Sequence, residues 1–166
     1  MDANVRSDAA AKYPTTTERK SERELVITRT FKAPARIVFE AWTKPELIKR
    51  WWAPKSIGMT FVSCEADVRA GGAYRFVFSH ADFPEPMTFF GRYLEATPPS
   101  HLVWTNEEAG DGGQVTTVTF EEKGGETCVV VHELYASKEA LDEVMATGAI
   151  GWGDEMFVQL DELLSA

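Results

Sequence analysis

Alternation of apolar and polar positions dominates the chain from Glu24 onward, and helical spacing replaces it at only two places. Leu25-Val26-Ile27-Thr28-Arg29-Thr30-Phe31 is β-branched and partly alternating, which predicts a first strand. Ala33-Pro34-Ala35 turns the chain, and Pro34 suits a helix start because it has no N–H to satisfy there. Ile37, Val38, Ala41 and Trp42 then recur at helical spacing. Pro45 opens a second short helix running to Trp52, with Leu47, Ile48, Trp51 and Trp52 on its apolar side, and Pro54 closes it. Six strands are expected next: Met59–Val68, Ala73–His80, Met87–Ala96, His101–Asn106, Gln114–Glu122 and Glu126–Tyr135. Turn signals separate them at Gly71-Gly72, Pro84-Glu85-Pro86, Pro98-Pro99, Gly110-Asp111-Gly112-Gly113 and Gly124-Gly125. These connections are too short for crossover helices, so neighbouring strands must pair antiparallel.

Ser137 suits an N-cap, followed by Leu141, Val144 and Met145 on one helical side. Gly148, Gly151 and Gly153 interrupt that helix. Trp152, Met156, Phe157, Leu160, Leu163 and Leu164 then define a C-terminal amphipathic helix with a broad apolar face. Residues 1–22 carry few large apolar side chains and read as a flexible tail, leaving 23–166 as one domain.

The expected fold is therefore α+β. A seven-stranded curved antiparallel sheet wraps a long C-terminal helix, with two short helices after the first strand. A sheet with one large apolar helix is most economically arranged by curling around it. Gly91, inside a strand, permits strong bending or close approach. The space between sheet and helix is a natural pocket, and ten Phe, five Trp and five Met are available to line or fill it.

Charge narrows the partners. The 166 residues carry 17 basic and 26 acidic side chains, a formal net charge of -9. Such a surface repels phosphate backbones, which argues against nucleic acid. No run is long enough for a membrane span, and the first twenty residues lack the apolar core of a signal peptide, so a cytoplasmic location is expected. Cys64 and Cys128 sit in apolar runs as small buried hydrophobes, without the companion spacing of a zinc site.

Catalytic chemistry finds little support. No Ser-His-Asp or Cys-His arrangement is defensible from spacing, and no cofactor motif is present, since Gly71-Gly72 marks a hairpin rather than a phosphate loop. Glu65, Asp67, Glu121 and Glu122 read as solvated. His80 and His101 read as surface residues. His132 lies mid-strand: it faces outward if Val129 and Val131 face the helix, and into the pocket if the register is reversed. The candidate ligand-binding residues are Trp51, Trp52, Phe76, Phe78, Phe90, Trp104, His132, Trp152 and Met156, with plain core packing as the alternative role for the large ones. Arg75 and Arg92 pair with surface carboxylates or anchor an acidic ligand group.

Taken in order, several short stretches resemble a known family. They are Trp51-Trp52-Ala53-Pro54, Asp67-Val68-Arg69-Ala70-Gly71-Gly72-Ala73-Tyr74-Arg75 and Gly91-Arg92-Tyr93-Leu94-Glu95. Pro98-Pro99 leads on to Leu102-Val103-Trp104-Thr105, then Thr117-Val118-Thr119-Phe120-Glu121 and Gly151-Trp152. Over residues 24–166 the chain resembles homologues of the C-terminal domain of the heat-shock protein 90 ATPase activator, in the START-like, Bet v 1-like superfamily. The resemblance implies a helix-grip fold. It leaves function open, because members bind lipids, hormones or polyketides and some act as cyclases or resistance proteins. The eukaryotic co-chaperone has an additional N-terminal domain, where this chain has a short tail.

The leading expectation is binding of a small hydrophobic or aromatic molecule between sheet and C-terminal helix. A cyclase- or hydrolase-like enzyme on the same scaffold is the first alternative, and a protein-interaction or chaperone-regulator module the second. A homodimer is compatible with all three.

Overall fold

The computed structural model describes residues 15–52, 58–107, 114–147 and 154–165. In chain order the described elements are β1 (Thr16–Arg19), β2 (Glu24–Phe31), α1 (Ala35–Thr43), α2 (Pro45–Trp51), β3 (Thr60–Ala66), β4 (Ala73–His80), β5 (Phe83–Thr97), β6 (His101–Asn106), β7 (Gln114–Lys123), β8 (Glu126–Leu134), α3 (Lys138–Thr147) and α4 (Asp154–Ser165). The strands form one antiparallel sheet in the order β1-β2-β8-β7-β6-β5-β4-β3. Period-two burial sets its two faces. In β2, Leu25, Ile27, Arg29 and Phe31 are buried while the residues between them are half-exposed. In β8, Thr127, Val129, Val131 and Glu133 do the same. Gly124 and Gly125, at φ +63° and +81°, supply the left-handed turn that joins β7 to β8.

Two expectations need correction. The sheet has eight strands, not seven, because Thr16–Arg19 of the expected tail pairs with Leu25–Thr28 of β2. All four β1 residues are exposed, so nothing in their hydrophobic pattern announced them. Backbone pairing holds them, and Arg19 adds a 2.7 Å ion pair to Asp142 of α3. The turn expected at Pro84-Glu85-Pro86 lies instead at Ala81-Asp82, and both prolines sit inside β5. The β4–β5 register shifts between Phe78 and His80, so residues 84–86 need no ladder partner there. The C-terminal helix α4 is described over Asp154–Ser165. That is 12 residues, about 18 Å.

β5 is the corner of the fold. Its first part pairs with β4 as far as Arg92, and its last part, from Tyr93, pairs with β6. Just before this switch lies Gly91, where a Cβ would meet the Thr105 carbonyl oxygen at 2.0 Å. Glycine is therefore required by the close approach of the β6 backbone. The bend turns β3–β5 back over the helices.

The helices close the inner face. The Ala35 N–H at the start of α1 donates to Glu122 Oε1 at 2.8 Å, so this exposed carboxylate also caps a helix. Trp51 Nε1 donates to the Ala41 carbonyl at 2.9 Å, locking α2 against α1. Gln159 Nε2 of α4 donates to the Trp51 carbonyl at 3.0 Å. Phe157 of α4 meets Phe31 of β2 edge-on at 5.6 Å. Ser137 caps α3 as expected, accepting from the Ala140 N–H at 3.1 Å.

Candidate functional site

Alternation on β4 directs Tyr74, Phe76 and Phe78 inward. Beyond the Gly91 corner, Tyr93 of β5 and Trp104 of β6 are register partners on the same face. Helical spacing on α1 turns Trp42 toward them, and Trp52 at the end of α2 reaches over from the opposite side. Six rings thus close a circle. Trp42 lies 6.3 Å from Trp52, Trp52 5.2 Å from Phe76, and Phe76 5.2 Å from Tyr74. Tyr74 lies 5.7 Å from Tyr93, Tyr93 6.3 Å from Trp104, and Trp104 6.3 Å from Trp42. Every ring but Trp52 is at least nine-tenths buried. Trp52 is half-buried.

The circle encloses about 10 Å³. One water needs at least that much. The open hollow expected between sheet and helix is therefore closed at this position by the rings themselves, which corrects the sequence-based picture. Tilted rings 5–6 Å apart fill space efficiently and still leave a small gap that branched aliphatic chains would occupy.

A polar rim adjoins the circle. The Tyr74 hydroxyl donates to the Thr105 carbonyl at 2.7 Å and accepts from Asn106 Nδ2 at 3.1 Å. Thr116 Oγ1 donates to Asn106 Oδ1 at 3.2 Å. Tyr93, Trp104, Thr116, Glu133 and Leu25 form one cross-strand row by register. Glu133 is only 3% exposed and accepts a 2.9 Å hydrogen bond from the Tyr135 hydroxyl. Burial holds the Tyr93 hydroxyl well above the usual tyrosine range. Burial and then the Glu133 charge do the same for Tyr135. Burial also pushes the Cys64 thiol up to about 11, so it is an unreactive thiol. Among the described residues no group of three His, Cys, Asp or Glu side chains is placed to hold a metal ion.

Of the nine candidates from sequence, the structure brings together Trp52, Phe76 and Trp104. Trp51 is fully buried as the α1–α2 lock, and Met156 is packed in the core on α4. Phe78 lies beside the circle in a stack 4.2 Å from Phe61 and 5.4 Å from Phe89, and Phe61 in turn meets Phe76 edge-on at 6.0 Å. Trp152 lies outside the described residues. Two placements are corrections. Phe90 points to the outer face, 40% exposed, because β5 carries Phe89 and Gly91 inward. His132 also points outward, since Val129 and Val131 take the inner face, and its Nε2 is 2.6 Å from Glu24 Oε2. Sequence reasoning missed Trp42, Tyr74 and Tyr93 as members of the circle, although the i, i+2 run Tyr74-Phe76-Phe78 already carried the signal. It also missed Arg29, which is buried on the inner face and ion-paired to Asp161 of α4. Burial holds the Asp161 carboxyl above its usual value, against the pull of Arg29.

A curved antiparallel sheet gripping a C-terminal helix defines the Bet v 1-like class, and comparisons place the chain within it. A family model, activator of Hsp90 ATPase homolog 1-like protein, matches residues 32–165. The chain belongs to that family. Comparison with curated proteins gives no match. Among solved structures, a protein from Rhodobacter sphaeroides superposes with a TM-score of 0.82 at 24% identity, covering 92% of this chain and 98% of its own. One from Mycobacterium smegmatis gives a TM-score of 0.75 at 26% identity, over 92% and 98% of the two chains. An AHSA1-like protein from Aeromonas hydrophila gives 0.66 at 21% identity, over 82% and 92%. None of the described helices is long and apolar enough to cross a membrane.

Proposed function

We propose that the protein binds a small aromatic molecule, or an apolar one of similar size, within the circle of Trp42, Trp52, Tyr74, Phe76, Tyr93 and Trp104. The carrying observation is that six inward rings converge on one point and leave a gap there, with a polar rim on one side. Apolar walls with a few convergent polar groups are the usual composition of a small-molecule site. The gap is too small for any guest, so the guest takes the place of a ring. Trp52 is the ring that moves: it sits at the end of α2, and it alone of the six keeps appreciable exposure. The Tyr74–Asn106–Thr116 chain then orients a hydroxyl or carbonyl on the guest.

Intrinsic tryptophan fluorescence and thermal shift, read against a panel of aromatic metabolites, polyketides and fatty acids, test this reading. A binder at a hundred times its Kd raises stability by about 2.7 kcal/mol. It quenches wild type and fails to quench Trp52→Phe in the same way. A panel with no saturable response from any aromatic compound removes the proposal.

A second reading, enzymatic, draws on Glu133, whose buried carboxylate stands on the inner face two strands from Trp104. It requires Glu133 to exchange a proton with a bound guest. Turnover that vanishes in Glu133→Gln while binding persists is its signature.

A further inference from the structure

The outer face of β3–β5 differs from the rest of the surface, and the difference is independent of the ligand reading. Glu65, Asp67, Ala73, Arg75, Phe90, Arg92 and Glu107 line an open groove of about 860 Å³ there. Three of the five large apolar side chains exposed among the described residues lie on these strands: Val62 at 61%, Phe90 at 40% and Leu94 at 50%. Charges around them are balanced. Asp67 pairs with Arg69 at 2.9 Å and Glu107 with Arg92 at 3.1 Å. Glu65 and Arg75 are exposed register partners on adjacent strands. Among the described residues, no oppositely charged group lies within ion-pair distance of either one. Three acidic and three basic side chains sum to zero on a chain whose net charge is -9.

We propose that this face is where two copies of the chain associate, through an isologous contact that sets Arg75 of each copy against Glu65 of the other. Two strongly acidic molecules repel over most of their surfaces, and a neutral patch is where that repulsion is least. A two-fold axis needs a self-complementary surface, and an exposed cation beside an exposed anion, neither ion-paired among the described residues, provides it. Phe90 supplies a central apolar anchor, the kind of residue that carries interface energy. Val62 and Leu94 extend the exposed apolar surface.

Charge reversal in trans tests the pairing. Arg75 and Glu65 are both exposed, so Arg75→Glu and Glu65→Arg fold as wild type does, which circular dichroism checks. Sedimentation equilibrium of wild type then gives a monomer–dimer midpoint. Each single variant moves it to at least about tenfold higher concentration, equivalent to about 1.4 kcal/mol. Mixing the two variants restores the dimer as a one-to-one heterodimer, because every crossed contact is again Glu to Arg. Phe90→Ser disrupts it without touching the charges. A wild type that stays monomeric at its highest soluble concentration overturns the proposal. So does a dimer that survives both reversals, or variants that separate and fail to recombine. A different protein seated on the face leaves wild type monomeric and is thereby distinguished.

Discussion

The inner face of the sheet is built in two different ways at its two ends. Under α4, strands β2 and β8 offer Leu25, Ile27, Val129 and Val131, all at most 1% exposed, together with Phe31 against Phe157. Under α1 and α2, strands β4 to β6 offer Tyr74, Phe76, Tyr93 and Trp104, and six rings enclose a gap. At the aromatic end a gap of about 10 Å³ remains among tilted and edge-on rings, one of which keeps appreciable exposure, while the aliphatic side chains under α4 are sealed from solvent. The aliphatic end is a structural clamp. The aromatic end is where the fold can be opened, and removing side chains from each end separates the two roles.

The largest effect falls at the aliphatic end. Phe31→Ala removes a fully buried ring between β2 and α4 and costs about 3–5 kcal/mol, read as a lower urea midpoint at unchanged slope. Equal losses from Phe31→Ala and Trp52→Ala would erase the distinction between the ends. Trp52 is half-buried and borders the gap, so Trp52→Ala costs about 1–3 kcal/mol less. It also enlarges the gap into a cavity of ring size. Indole then stabilises Trp52→Ala, because an apolar cavity shaped by a lost ring accepts a replacement, and stabilises Phe31→Ala less, because the lost phenyl ring is smaller than indole.

Next comes the ion pair inside the clamp. Asp161→Asn leaves the Arg29 guanidinium, 3% exposed, without its counter-charge. Removing one partner of a fully buried pair costs about 3–5 kcal/mol, and Asp161 is about one-third exposed, which reduces the expectation to about 1–2 kcal/mol. The loss stays modest for a second reason: burial holds the Asp161 carboxyl above its usual value, so folding on balance disfavours its ionised form despite Arg29. Arg29→Met in the same chain recovers most of the loss. A double variant no better than Asp161→Asn alone shows that the guanidinium matters for its packing rather than its charge.

The difference between the two ends also explains what was legible in the sequence. Strands β4 and β6 end where alternation and turn residues place them, at Ala73–His80 and His101–Asn106. Strand β1 was invisible because all its side chains are exposed and only its backbone is engaged. Pro84 and Pro86 misled because a register shift removes the need for their N–H groups. At the candidate site, Phe76 and Trp104 were legible from parity along their strands. Phe90 was not, since its parity is fixed only once Gly91 is known to face Thr105. Whether rings fill a hollow is a matter of volume, to a few Å³, and a periodic pattern carries direction without volume.

The smallest effect lies on the opposite face of the same strands. Glu24 of β2 and His132 of β8 are register neighbours on the outer face, joined at 2.6 Å. The hydrogen bond from His132 holds the Glu24 carboxyl below the usual glutamate value, with Ser21 adding to the effect. A carboxylate held low in the folded state binds its proton less readily there than in the unfolded chain. Its contribution is therefore present above the unfolded value and is lost as pH falls through the folded one. Glu24→Gln removes it. Chemical unfolding of wild type and Glu24→Gln is then compared from neutral pH down into the acid limb. The wild type's advantage at neutral pH shrinks toward zero as Glu24 becomes protonated. Both partners of this pair keep about three-tenths of their side chains exposed, so added salt weakens the advantage too, while the Arg29–Asp161 pair, with Arg29 only 3% exposed, responds to salt far less. A Glu24 effect that survives high salt, or that grows as pH falls, would mean the outer pair is no weaker than the inner one and that position on the sheet does not set the strength of a charge pair here.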